Sequence, residues 1–235
     1  MSRPAREPPG EPATVAQLLA LPEEQRHEII DGQLIPKEAA SGGHGGIQLN
    51  LGATLVGPFG RRPPGGPPER PGGWWFATEV LIELGPGQVY RPDLAGWRRE
   101  RLTSLPTTVP IATRPDWLCE IISPSNAATD TVKKMWGHHR AQVPYYWLLD
   151  PRDETLQVYR WIEDGYTLVL SASRGERVHA APFEAIELPI DLLFGADEHE
   201  PGSRPLVDEA RRADCARARR GRRRRTRCHR GASGR

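Results

Sequence analysis

The segment from residue 115 to residue 150 constrains the fold of this chain more than any other part of it. Two dense apolar runs, DWLCEIIS and PYYWLLD, lie between prolines and flank the stretch TVKKMWGHHRAQ. Short apolar runs of this kind are typical of strands buried on both faces, and the stretch between them has the composition of a helix. A strand, a helix and a second strand in this order predict a parallel strand pair inside a mixed sheet.

The rest of residues 14–195 predicts further elements around this crossover unit. Helical spacing occurs in TVAQLLA, in PEEQRHEII, and at Ile47, Leu51, Leu55 and Val56 after a glycine-rich loop. Strands are predicted near Gln33–Glu38, in WWFATEVLIEL, in VYRPDLAGW and in a hairpin around Glu163-Asp164-Gly165. The segment APFEAIELPIDLLFG predicts a short strand and a helical turn. The fold class that follows is α/β, with a mixed β-sheet flanked by helices.

The two ends of the chain differ in composition from the body. Residues 1–13 form a proline-rich leader, and residues 211–235 contain twelve arginines and one acid, although the whole chain carries a formal net charge of only +2. An arginine block attracts nucleic acid without reading its sequence, or it is simply a biased, disordered end. The composition favours the second interpretation, so we predict that residues 1–13 and 196–235 are disordered and place no site in the tail.

Several classes of protein are excluded by composition and by missing motifs. No apolar run approaches the ~20 residues of a membrane helix, and the first residues lack the apolar segment of a secretory signal, which predicts a cytoplasmic protein. The cysteines at 119, 215 and 228 form neither a disulfide framework nor a zinc knuckle. Phosphate-binding loops and serine-hydrolase elbows are absent, and the pair His138-His139 is expected on a solvated helix face.

Two acids in apolar surroundings are the strongest chemical signal. Glu120 lies inside WLCEII, where an unpaired buried carboxylate would cost several kcal/mol, and Asp93 begins a neighbouring predicted strand. A divalent cation shared by these two oxygen donors would compensate for the burial. Pairing with Arg91, Arg114 or a backbone amide is the alternative, and the sequence does not choose between them. Asp116 is a poorer partner, since residues 116 and 120 lie about 13 Å apart on one strand.

Lysine is rare in this chain and therefore informative. Only Lys37, Lys133 and Lys134 occur, and two of them follow the Glu120 strand directly. A lysine can polarise a water molecule, whereas an arginine stays charged. Asp130 and Lys134 also have the spacing of a helix-surface ion pair, and spacing alone leaves both roles open.

Taken together, HEIIDGQLI, SGGHGGIQLNLGATL, YRPDLAGW and RPDWLCEIISPSNAATDTVKKMWGHHRAQVPYYWLLDPRDETLQVYR resemble the Uma-two restriction endonuclease family of the PD-(D/E)XK nuclease superfamily. The resemblance runs from about residue 14 to residue 195. It implies a restriction-endonuclease-like core and a metal-dependent phosphodiesterase.

The resemblance also implies roles for individual residues. Asp93 and Glu120 match the family's active-site acids and would bind Mg²⁺ or Mn²⁺, and Lys134 matches its lysine on the following helix. Glu28 and His44 match further recurrent polar positions. The superfamily's lysine normally stands two residues after the acid, where this chain has Ile122.

The function predicted from the resemblance is that of a magnesium-dependent endonuclease acting on nucleic acid, with DNA as the expected substrate. Related nucleases often work as dimers, so a homodimer is one expected arrangement. Arg98, Arg99 and Arg101 are candidate phosphate contacts near the Asp93 strand. Because Ile122 replaces the usual lysine, the alternative is a catalytically inactive nucleic-acid-binding or accessory module on the same fold.

Overall fold

The computed structural model describes residues 11–61, 67–68, 70–123 and 129–196. The helices are α1 (Val15–Leu19), α2 (Gly42–Leu55), α3 (Met135–Arg140) and α4 (Ile190–Leu193). The strands are β1 (His27–Ile30), β2 (Gln33–Pro36), β3 (Trp74–Thr78), β4 (Ile82–Gly85), β5 (Gln88–Tyr90), β6 (Leu94–Arg98), β7 (Trp117–Ile121), β8 (Tyr145–Asp150), β9 (Thr155–Ile162), β10 (Gly165–Ser173), β11 (Arg177–Val178) and β12 (Leu188–Pro189).

The centre of the fold is a six-stranded mixed sheet in the order β10-β9-β8-β7-β6-β3. Strands β7 and β8 are parallel, and every other neighbouring pair in this sheet is antiparallel. A π-helical segment, Thr129–Lys134, continues into α3 and forms the connection between the two parallel strands. The predicted crossover unit and the mixed α/β sheet are therefore confirmed.

A second sheet, in the order β2-β1-β5-β4, corrects one prediction. PEEQRHEII has helical spacing, but His27–Ile30 is strand β1 and pairs with β2 in a hairpin. Asp31 and Gly32 form its turn with φ of 51° and 75°, which is the backbone of a two-residue hairpin turn. The hairpin hydrogen bonds outweigh the weak local preference for a helix.

Two predicted strands are each divided into two. WWFATEVLIEL forms β3 in the large sheet and β4 in the small one, and VYRPDLAGW forms β5 in the small sheet and β6 in the large one. Glu79 bends the first segment with a φ of 56° and donates its N–H to the Pro92 carbonyl at 3.2 Å. The chain therefore changes sheets twice, and both changes occur beside Asp93.

Each face of the large sheet is covered by its own apolar cluster. Trp117, Cys119 and Ile121 of β7 pack with Ile47 and Leu51 of α2 on one face. The other face carries a second cluster, which contains Leu118 and Ile122. Because side chains alternate along a strand, Glu120 points to the same face as Leu118, toward the crossover connection.

Helix α2 follows its predicted face except at the end. Ile47, Leu51 and Leu55 are buried, whereas Val56 begins a π-helical turn, Val56–Gly60, and is exposed. No helix in the described part of the chain is long and apolar enough to cross a bilayer. Most of the predicted disordered leader, and the predicted tail beyond residue 196, lie outside the described residues.

Candidate functional site

A cavity of about 520 Å³ opens where β6 begins and β7 ends. Its walls come from both larger sheets, from the start of α2 and from the π-helical segment before α3. Its ionisable lining residues are Glu28, Lys37, Glu38, His44, Glu79, Asp93, Glu120, Lys134, Arg152 and Glu154. All five site residues that the sequence predicts, Asp93, Glu120, Lys134, Glu28 and His44, therefore line one cavity.

Asp93 is 1% exposed and has partners on both carboxylate oxygens. Oδ2 accepts the N–H of Ile121 at 2.7 Å, and Oδ1 lies 2.8 Å from Lys37 Nζ and 3.1 Å from His44 Nε2. Burial opposes ionisation, but His44 and the Lys37 ammonium outweigh it and lower the pKa of Asp93 below its ordinary value. Asp93 is therefore an anion inside the protein.

Glu120 lies beside Asp93 because of the strand register. Leu94 pairs with Cys119, so one further step of the antiparallel register brings Asp93 opposite Glu120. Glu120 is 1% exposed, and burial opposes its charged form. The Lys134 ammonium nevertheless lowers the pKa of Glu120, with a smaller contribution from His138. Two neighbouring buried carboxylates thus stay ionised.

Lys134 is the buried cation on the crossover side of the cavity. It is 2% exposed, and its Nζ lies 3.0 Å from Glu28 Oε2 and 3.3 Å from Glu120 Oε1. Glu28 in turn accepts the N–H of Arg91 at 2.7 Å through Oε1. The alternative partner of Lys134, Asp130, has its side chain outside the described part of the structure.

Two further residues of the site were missed by the sequence analysis. Lys37 follows β2, and its Nζ donates to the Arg91 carbonyl at 2.6 Å and lies 3.2 Å from Glu79 Oε2. Burial raises the pKa of Glu79 despite this contact. The rarity of lysine could have singled out Lys37, whereas Glu79 lies inside one predicted strand and offered no signal.

Two histidines occupy different positions around this cluster. The Asp93 carboxylate raises the pKa of His44 against the effect of burial, although the ring is turned away from the ideal hydrogen-bond direction. His138 is 0% exposed, which corrects its predicted place on a solvated face. Its ring packs 4.6 Å from that of Tyr90, and burial lowers its pKa. Its Nε2 lies 3.9 Å from Glu120 Oε1.

The predicted phosphate contacts at Arg98, Arg99 and Arg101 are not part of the cavity lining. Arg99 donates to the carbonyls of Gly60 and Trp74 and stacks on Trp75, with its guanidinium carbon 3.5 Å from the ring centroid. These arginines lie at the far end of β6 and just beyond it, five to eight residues after Asp93.

Asp116 belongs to this far end as well. Its side chain accepts from the Arg98 N–H at 2.8 Å and pairs with Arg101. Its carboxylate holds the start of β7 in place and is absent from the cavity lining. Arg152 is the one arginine among the described lining residues, and it lies at the cavity on an exposed turn beside Asp150.

Comparisons with known proteins agree with this architecture. A model of the Uma2 family, described as "Putative restriction endonuclease", matches residues 15–191. A solved structure from Anabaena variabilis ATCC 29413, described as "a putative nuclease belonging to DUF820", is similar with a TM-score of 0.61 and 24% identity. The similarity covers 78% of this chain and 98% of that one. No curated protein matches the chain.

Proposed function

This chain belongs to the Uma2 family, and we propose that it is a divalent-metal-dependent endonuclease that hydrolyses phosphodiester bonds of DNA. The observation that carries the proposal is the pairing of two ionised, buried carboxylates, Asp93 and Glu120, at one cavity with the buried Lys134 ammonium beside them. Perturbed ionisable groups in a cavity are typical of catalytic sites.

The donor set fits a hard divalent cation. Six carboxylates line the described part of the cavity against two lysines, one arginine and His44, so its net charge is negative. A polyanionic substrate would be repelled from such a cavity unless further positive charge entered with it. Carboxylate oxygens are the ligands that Mg²⁺ and Mn²⁺ prefer, so Asp93 and Glu120 would hold the ion. When bound, it would supply Lewis acidity at the phosphate and lower the pKa of a coordinated water.

Lys134 has the position of a group that handles the attacking water. Its ammonium is fixed between Glu28 and Glu120 at 3.0 Å and 3.3 Å, so little reorganisation accompanies the reaction. From there Nζ can orient a water by hydrogen bonding and can neutralise charge that develops on the phosphate oxygens. Glu28 serves as a positioning residue, because it holds Lys134 and, through the Arg91 N–H, the segment that carries Asp93.

Arg152 is the proposed contact for a flanking phosphate. Its guanidinium pairs with Asp150 at 2.8 Å, but its side chain is 57% exposed, so the arginine can turn to a phosphate at low cost. Guanidinium groups bind phosphate oxygens in a bidentate manner. Arg152 thus takes the role that the sequence analysis assigned to Arg98, Arg99 and Arg101.

The test is cleavage of supercoiled plasmid by the full-length chain with Mg²⁺, Mn²⁺ or EDTA. Asp93→Asn is the informative variant, and Asp153→Asn, an exposed acid of similar charge outside the cavity lining, is the matched control. Cleavage that needs metal, survives in the control and is lost in Asp93→Asn supports the proposal. Metal-independent cleavage, or equal activity of Asp93→Asn, contradicts it. A single-stranded RNA substrate in the same assay tests the preference for DNA.

A nucleic-acid-binding module without catalysis is the second candidate, and one observation favours it. Lys134 compensates Glu28 and Glu120 without any metal, so the cluster is stable as a set of ion pairs. Such a module would bind DNA with the same affinity in Mg²⁺ and in EDTA. A folded chain that binds DNA in this way and cuts nothing would favour the module over the enzyme.

A further inference from the structure

Lys37 makes contacts that resemble those of a bound metal ion. Its Nζ lies within 3.2 Å of three oxygens, namely the Arg91 carbonyl at 2.6 Å, Asp93 Oδ1 at 2.8 Å and Glu79 Oε2 at 3.2 Å. The side chain is 11% exposed, and it reaches this point from the end of β2, opposite the crossover connection that carries Lys134. The Lys37 ammonium, with its three oxygen partners, is therefore largely buried on the side of Asp93 opposite the crossover connection.

The groups around the Lys37 ammonium form a set of metal-type donors. His44, Glu79 and Asp93 each offer one ligand atom, and these atoms lie within 4.8 Å of one another. Ligands on opposite sides of a divalent ion lie about 4.2–5.2 Å apart, from bond lengths of ~2.1–2.6 Å. The Arg91 carbonyl oxygen is a fourth donor on the same centre. The backbone of Glu79 is held at a φ of 56°, an uncommon conformation that brings its side chain to this point.

We propose that the Lys37 ammonium occupies a second cation position in this site, so that the wild-type chain binds one divalent ion. Removal of the ammonium opens a second metal site at His44, Glu79 and Asp93. The proposal rests on the proposed function only for the first ion, at Asp93 and Glu120. The second position is defined by the Lys37 contacts alone.

Charge balance explains why the vacated position would take a metal. Without Lys37, the Asp93 and Glu79 carboxylates would face each other, and among the described contacts Arg26, at 3.6 Å, would be the remaining ion-pair partner of the Glu79 carboxylate. That arginine is 42% exposed and compensates weakly through solvent. The buried Asp93 carboxylate, the partly buried Glu79 carboxylate and an imidazole together bind a divalent ion more strongly than they bind water.

The experiment counts Mn²⁺ ions per chain by equilibrium dialysis of the full-length protein without nucleic acid. The test variant is Lys37→Met, which removes the charge and keeps a side chain of similar length. Lys133→Met is the matched control, because Lys133 is exposed and absent from the cavity lining. We expect one ion in the wild type and in the control, and two in Lys37→Met. Lys37→Arg, which keeps the charge, should bind one.

Substitution of Glu79 tests where the second ion binds. In the double variant Lys37→Met/Glu79→Gln the count should return to one, because Gln removes an anionic ligand of the opened site. Glu79→Gln alone should leave the count at one, and this variant provides the test if Lys37→Met does not fold by circular dichroism. Loss of an ion in Glu79→Gln alone would overturn the proposal, because Glu79 would then be a ligand in the native site.

The counts also separate this inference from the proposed function. No ion in the wild type and one in Lys37→Met would support the role of Lys37 and contradict metal binding by Asp93 and Glu120 in the native chain. Equal counts in the wild type and in folded Lys37→Met would overturn the inference, whether the common count is zero, one or two.

Discussion

The Lys134 ammonium lies 3.3 Å from the Glu120 carboxylate, although the two residues are 14 positions apart and belong to different elements. The position two residues after Glu120 is Ile122, which is 7% exposed and packs in the apolar cluster with Leu118. The lysine therefore comes from the π-helical segment before α3. Single π-helical turns are frequent at functional sites because they redirect a side chain without ending the helix.

Removal of the Lys134 charge should destabilise the fold. Lys134→Met leaves the buried Glu28 and Glu120 carboxylates without their common cation, and an uncompensated buried charge costs about 3–5 kcal/mol. Urea denaturation in EDTA measures this change in the free energy of unfolding. The double variant Lys134→Met/Glu120→Gln should recover part of the loss, because it removes one of the two unpaired charges. An unchanged midpoint for Lys134→Met would contradict the assigned ion pairs.

Glu120→Gln should weaken metal binding while keeping the shape of the site. The amide has the size of the carboxylate but lacks its charge, so we expect Mn²⁺ affinity to fall at least about tenfold. Isothermal titration calorimetry on the metal-free protein measures the affinity. Glu154→Gln, at the cavity but half-buried and paired with Arg174, is the control and should change it little. Equal Mn²⁺ affinities of Glu120→Gln and the wild type would show that Glu120 is not a metal ligand.

Gly137 of α3 should tolerate no side chain. A Cβ at this position would lie 1.7 Å from the Tyr90 hydroxyl and 2.6 Å from its ring carbon, and Tyr90 is fully buried. We expect Gly137→Ala to cost about 1–3 kcal/mol of stability through overpacking. Gly45→Ala in α2 is the control, because a Cβ there meets nothing within 4 Å, and it should stabilise the helix by up to about 1 kcal/mol. Similar urea midpoints for the two variants would refute the close packing of α3 on Tyr90.

His44 should make the stability of the metal-free protein depend on pH above about 6.5. Its pKa in the folded state is raised above the ordinary value of 6.5 by Asp93, so the folded state binds the proton more tightly than the unfolded chain. This contribution is present in full below pH 6.5 and is lost as the pH rises through the raised pKa. NMR titration of the imidazole should give a pKa above 6.5 in the wild type and a lower one in Asp93→Asn. A wild-type pKa at or below 6.5 would contradict the Asp93 contact.

Arg152 should contribute to DNA binding, whereas Arg99 should contribute to stability. Arg152→Ala removes one phosphate contact and should reduce the salt dependence of DNA affinity by about one unit of slope. Arg160→Ala, an exposed arginine of β9 outside the cavity lining, is the control. Arg99→Ala should leave the slope unchanged and lower the urea midpoint, because it loses two carbonyl contacts and the Trp75 stack. A fluorescence anisotropy titration at several salt concentrations decides between these outcomes.

The sequence predicted the centre of the fold from strong local signals. The apolar runs of β7 and β8 and the helix between them were identified because buried strands and crossover helices have a characteristic hydrophobic period and composition in the sequence. The prediction failed at β1, where a hairpin turn at Asp31-Gly32 outweighs helical spacing, and at Glu79, where a left-handed residue divides one apparent strand. Such bends depend on partners far along the chain.

The predicted site residues were found for different reasons. Glu120 was recognisable because a carboxylate inside an apolar run requires compensation, and Glu28 and His44 were identified by resemblance to a family rather than by their own surroundings. Lys37 and Glu79 were missed because their neighbours in sequence are ordinary loop and strand residues. Both residues contribute to the site through Asp93, which is 56 residues after Lys37 and contacts it at 2.8 Å.

The sequence by itself determined which residues form buried strands, which helix connects them, and that the burial of Glu120 must be compensated. Those features depend on the local hydrophobic pattern and on the cost of burying charge, which can be evaluated from the order of the residues alone. Only the tertiary structure decided that the partner is Lys134, that Glu28 shares it, and that Lys37 rather than an arginine lies against Asp93. Electrostatic partners are determined by distances of a few ångströms between chain segments. Strand register, and the two points at which the chain passes from one sheet to the other, set those distances.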